Sequence, residues 1–108
     1  MDTPTVDTLA LETKVIEALH TCYDPEIPVD IFELGLIYDI KVEPTGLVRI
    51  QMTLTSPNCP AAQTLPGEVK EKVETVPGVV AATVDVVFDP PWDRSRMSEA
   101  AMLQLGML

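Results

Sequence analysis

Apolar positions along the chain recur in two periods. Leu11, Val15, Ala18 and Leu19 follow one another at three or four residues or stand side by side, which places them on one face of a helix over 8–20. Asp7 stands where an N-cap belongs, and residues 1–7 read as a flexible lead-in. From Leu36 to Val42 the period changes to two, with Leu36, Tyr38, Ile40 and Val42 expected on one face of a strand. Glu43-Pro44-Thr45-Gly46 is a turn, and Leu47 to Thr55 alternates again through Val48, Ile50, Met52 and Leu54. The two strands are expected to pair as an antiparallel hairpin.

Ser56-Pro57-Asn58-Cys59-Pro60 breaks the alternation. Ala62, Leu65, Val69, Val73 and Val76 then predict a second helix over roughly 60–75, with Pro66 kinking it or ending its first turn. Val79 to Phe88 is a β-branched run, read as a third strand with Ala82, Val84, Val86 and Phe88 on one face. Pro90-Pro91-Trp92 stops it, and Ser98 caps a short helix from Glu99 to about Leu105. Between the first helix and first strand, Pro25 and Pro28 exclude a regular helix, so 23–30 is a loop, with one short turn over 31–35. The order αββαβα predicts an α+β two-layer sandwich, one domain over 8–108. The third strand returns after a helical crossover, so it is expected to run parallel to one hairpin strand in a three-stranded mixed sheet.

Composition narrows the function. The 108 residues suffice for one core and not two. A net charge of −10 repels phosphate backbones and anionic lipid, which argues against nucleic acid and membrane surfaces as partners. No apolar stretch approaches the ~18 residues of a membrane helix. Met1-Asp2-Thr3-Pro4 lacks a basic, then apolar, leader, and the expected location is the cytoplasm. In that reducing compartment a disulfide between Cys22 and Cys59 is not expected.

Cys59 is the residue with the most chemistry. It stands between a strand and a helix, before Pro60, and proline favours the first helical position. As an N-cap its sulfur would meet free amides at the positive end of a helix, which favours thiolate, a nucleophile and soft metal ligand. The alternative is a small buried hydrophobe in a tight loop. Asp24, Glu26, Asp30 and Glu33 form an acidic loop that suits a hard cation or, alternatively, the capping of loop amides. Trp92 reads either as a partner anchor or as a plug at the core's edge. His20 and Cys22 form an isolated His-x-Cys with no assigned role.

Four segments occur in order: Tyr-Asp-Pro-Glu-Ile-Pro-Val-Asp-Ile-Phe-Glu-Leu-Gly-Leu-Ile-Tyr (23–38), Met-Thr-Leu-Thr-Ser-Pro-Asn-Cys-Pro (52–60), Leu-Pro-Gly-Glu-Val (65–69) with Val-Pro-Gly-Val (76–79), and Phe-Asp-Pro-Pro-Trp (88–92) with the tail 97–108. On these the chain closely resembles the SufT-like family of the SUF iron–sulfur pathway, over nearly everything after residue 8. That family shares its fold with the eukaryotic cytosolic iron–sulfur targeting subunit and with PaaD. The resemblance implies a fold like NifU C-terminal-like iron–sulfur assembly domains and a role in iron–sulfur protein maturation without catalytic turnover. It places the reactive cysteine on Cys59 and the acidic signature on Asp24 and Glu26. It implies SUF assembly proteins and apo iron–sulfur clients as partners. PaaD-type chains carry a cysteine-rich C-terminal extension that is missing after Leu108, which argues against that branch. A cluster takes about four protein ligands, and one chain offers one good thiol. Transient handling of iron or a cluster is therefore expected instead of stable holding, by a monomer or a homodimer. The alternatives are a non-metal-binding adaptor and a PaaD-like subunit of an oxygenase complex.

Overall fold

The computed structural model describes residues 7–24, 27–55 and 61–106. Helix α1, Thr8–Leu19, starts at Asp7, whose carboxylate accepts the N–H groups of Leu9 and Ala10. It buries Leu11, Val15 and Leu19, as the periodicity requires. Strands β1, Ile37–Val42, and β2, Leu47–Met52, form the antiparallel hairpin. Gly46, at φ +95°, closes the turn by donating its N–H to the Glu43 carbonyl.

Helix α2, Ala61–Glu74, crosses over to β3, Ala81–Val86, which pairs parallel to β2. The sheet order is β1-β2-β3, so β2 is central and the sheet is mixed. Val48, Ile50 and Met52 on β2 meet Leu65, Val69 and Val73 of α2 and the buried face of α1 in one core. Full burial of each such side chain is worth about 1.5–3 kcal/mol. Arg49 and Gln51 point to solvent from the other side of β2.

The strands are shorter than the alternation predicts, and one phase is broken. Ile37 pairs with Met52 but Asp39 with Gln51, so Tyr38 is the extra residue of a β-bulge. The expected shared face of Leu36, Tyr38, Ile40 and Val42 is corrected accordingly: Tyr38 leaves the core pattern. β2 ends at Met52 because the Thr53 N–H bonds to the Leu36 carbonyl beyond the ladder, although Thr53 and Leu54 remain buried. β3 ends at Val86, which leaves Phe88 outside the strand and exposed. Pro66 does not end α2, which continues through it to Glu74.

The chain after β3 folds back to the start of β1. The Tyr38 hydroxyl donates to the Pro90 carbonyl at 2.8 Å, and the Arg96 guanidinium lies 4.7 Å over the Tyr38 ring. A 3-10 turn, Arg94–Arg96, was not legible from periodicity. Ser98 then caps α3, Glu99–Gln104, through the Ala101 N–H, and Met97 and Ala101 enter the core.

Candidate functional site

Two sequence-predicted site residues, Cys59 and Glu26, lie outside the described residues. The frame around the Cys59 segment is described on both sides. β2 delivers the chain inward through Thr53 and Leu54, both buried, and α2 begins at Ala61. The Thr53 side-chain oxygen is enclosed and has no hydrogen-bond partner among the described residues.

The acidic loop is built by its own carboxylates. Asp24 is buried, and its Oδ1 accepts the Ile27 N–H at 3.1 Å. Tyr23 and Asp30 make an isolated antiparallel bridge, and the Ile31 N–H bonds to the Cys22 carbonyl at 2.9 Å. Asp30 Oδ1 accepts the Phe32 and Glu33 amides at 3.1 and 3.0 Å, capping the short turn predicted over 31–35. The Glu33 carboxylate accepts the Ser98 hydroxyl, which ties the loop to α3. For Asp24 and Asp30 the capping alternative is what the geometry displays.

His20 caps the C-terminus of α1 and joins this loop. Its Nδ1 is 3.0 Å from Asp30 Oδ1 and its Nε2 is 3.8 Å from Glu33 Oε2, with the ring tilted against Phe32 at 4.9 Å. This contact was missed in the sequence, where His20 has no assigned role. The signal available was Asp30-x-x-Glu33, the spacing of a capping box, which marks the turn but not the histidine that reaches it. Cys22 is buried beside it, and that burial pushes its thiol above the ordinary value of 9.0. Thr21, Cys22 and Tyr23 face Glu68, Glu71 and Lys72 of α2 across a cleft of about 510 Å³. Trp92 is half-buried against the core, and its indole N–H donates to the Leu34 carbonyl at 2.7 Å.

Among the described residues, no three His, Cys, Asp or Glu side chains converge as a metal site, and no helix is long and apolar enough to cross a membrane. What the fold presents is a small α+β scaffold with a mixed three-stranded sheet, whose central strand leads through a Cys-Pro segment into the crossover helix.

That class has a family. The chain belongs to the iron–sulfur cluster assembly protein family, which it matches over residues 12–86. It is 49% identical over 100 residues to an Fe-S protein maturation auxiliary factor of Porphyromonas gingivalis, covering 93% of this chain and 95% of that one. The Fe-S protein maturation auxiliary factor SufT of Staphylococcus aureus is 37% identical over 84 residues, 78% of this chain and 96% of its own. The fold agrees with the crystal structure of a domain of unknown function, DUF59, from Bacillus anthracis. The TM-score is 0.87 and the identity 40%, over 94% of this chain and 96% of that one. The SufT-like resemblance read from the four segments and the α+β fold are thereby both borne out.

Proposed function

We propose that this protein is an accessory factor in the maturation of iron–sulfur proteins within a SUF-type pathway of the cytoplasm, and that it works without catalytic turnover. The observation that carries the reading is similarity to maturation auxiliary factors along nearly their full lengths. In this reading Cys59 is the functional thiol. It takes iron or a cluster as passing cargo, between SUF assembly proteins and apo clients. With Cys22 buried, one good thiol per chain suits brief contact, because a cluster at rest takes about four protein ligands. Glu26 and Asp24 belong to the same reading as neighbours of the cargo, with Asp24 acting through the loop it caps. In this reading Trp92 meets a partner with its outer face, since its N–H is already used.

A second reading, a pure adaptor that docks machinery to clients, is favoured by the internal engagement of the Asp30 and Glu33 carboxylates. One experiment separates the two. The wild-type chain and Cys59→Ser are expressed in a strain lacking its own maturation factor, and the activity of a cluster-dependent client is measured. The carrier reading expects rescue by wild type and not by Cys59→Ser, with iron-and-sulfide reconstitution giving visible absorbance only in the wild type. Equal rescue by both chains, with negligible absorbance in both, selects the adaptor. Failure of the wild type to rescue counts against the maturation role itself.

A further inference from the structure

Among the described residues both outer strands, β1 and β3, are edges of the sheet. On β3 the Glu74 carboxylate of α2 accepts the outward Ala82 N–H at 3.1 Å. β1 has only β2 as its neighbour. The Glu43 N–H turns to the Leu47 carbonyl, so by alternation Lys41 and Asp39 also turn to β2, and Ile40 and Val42 turn their main-chain groups outward. Among the described residues nothing pairs with that edge. Alongside it runs a groove of about 260 Å³, lined by Ile16 and Glu12 of α1, Phe32, and Ile37 to Ile40. Phe32, Ile37 and Ile40 are only partly buried there, as is Val42 further along the strand. An open edge flanked by half-covered apolar side chains is a template for another strand.

We infer that the strand that fits this edge is β1 of a second copy of the chain. An antiparallel pairing centred on Ile40 exchanges main-chain hydrogen bonds between the two Ile40 residues and sets Val42 opposite Tyr38. It also sets Asp39 of each copy directly opposite Lys41 of the other, on the solvent face. Neither Asp39 nor Lys41 has an ion-pair partner within the chain among the described residues. Opposite charges on directly facing residues stabilise an antiparallel pair, and like charges there destabilise it. Sliding the copies by one pair puts Asp39 on Asp39 in one direction and Lys41 on Lys41 in the other. A larger slip toward the turn sets Pro44, which has no N–H, against Ile40. The charges thus select one register, and the product is a six-stranded sheet with β1 and its copy at the centre. In that dimer the two β2 strands deliver their C-terminal ends, at Met52, to opposite ends of the sheet. By strand geometry these two ends stand about 20 Å apart.

Sedimentation velocity from micromolar to millimolar protein tests this, at about 0.15 M salt so that a Debye length of about 8 Å screens the repulsion between two acidic chains. The wild type is expected to dimerise. Lys41→Asp and Asp39→Lys each place like charges opposite one another twice, and each is expected to weaken the dimer by roughly tenfold or more. The double variant Asp39→Lys with Lys41→Asp restores opposite charges and is expected to dimerise again. Both residues are exposed, so circular dichroism should report unchanged folding, and either single variant suffices if the other fails that check. A wild type that stays monomeric overturns the inference. So does a dimer indifferent to the single substitutions, or one that the double variant does not restore.

Discussion

The indole N–H of Trp92 donates to the main-chain carbonyl of Leu34 at 2.7 Å, between residues 58 positions apart. This bond and the Tyr38 hydroxyl's bond to Pro90 fasten the segment after β3 to the start of β1. Trp92→Phe keeps most of the ring and removes the donor, leaving the Leu34 carbonyl short of a partner. It is expected to lower folding stability by about 1–2 kcal/mol. Urea denaturation followed by far-ultraviolet circular dichroism measures this, because the substitution removes the only tryptophan.

Gly35 sits in the same junction at φ +80°, with the Arg96 main chain against its Cα. An added methyl group would collide with the Arg96 carbonyl oxygen, and the left-handed backbone already disfavours a side chain. Gly35→Ala is therefore expected to cost about 3 kcal/mol. Gly67, where an added Cβ meets nothing, is the control. Gly67→Ala, in the interior of α2, should hold or slightly raise the denaturation midpoint.

These junctions mark the boundary of what was legible in the sequence. The alternation of Val48, Ile50 and Met52 was readable because β2 is buried on one face only, and a one-residue error would expose all three. Asp7 and Ser98 were readable as caps because a cap is a local bond. The bulge at Tyr38 was not, since an inserted residue looks like continued alternation until the partner strand is known. His20 meeting Asp30, and Trp92 meeting Leu34, depend on how loops return in space, which no local period encodes. Cys59 was singled out by its place before Pro60, but only the family resemblance gave it a role. The chemistry of a thiol depends on neighbours that one sequence does not name.

Cys22 offers a contrast within the same chain. Burial raises its thiol, with the Thr21 side chain and Lys72 opposing the shift. At neutral pH it should alkylate slowly with iodoacetamide, and a mass-resolved time course on the folded protein checks this against Cys59, for which the N-cap reading predicts rapid labelling. The raised value also makes stability pH-dependent. The folded chain holds this proton more tightly than the unfolded chain does, so the contribution is fully present below the unfolded value near 9.0 and is lost as the pH rises through it toward the folded value. Denaturation midpoints between pH 7 and 10.5 should fall, and Cys22→Ala should flatten that part of the slope.

Asp30 is the carboxylate on which the acidic loop turns. Its Oδ1 accepts two amides and faces His20 Nδ1, all at 3.0–3.1 Å, while its main-chain carbonyl accepts the Leu34 N–H. Asp30→Ala strips the turn of its cap and is expected to cost about 2 kcal/mol, at the upper end for a cap because the amides it serves are partly buried. Asp30→Asn keeps an oxygen for the amides and loses the charge beside His20. It should cost less than Asp30→Ala, and the difference separates capping from the charge beside His20. If the loop carboxylates instead served mainly to hold cargo, both substitutions would leave the denaturation midpoint unchanged and lower client maturation alike. Measuring both quantities on both variants decides between a loop built for its own shape and one built for a ligand.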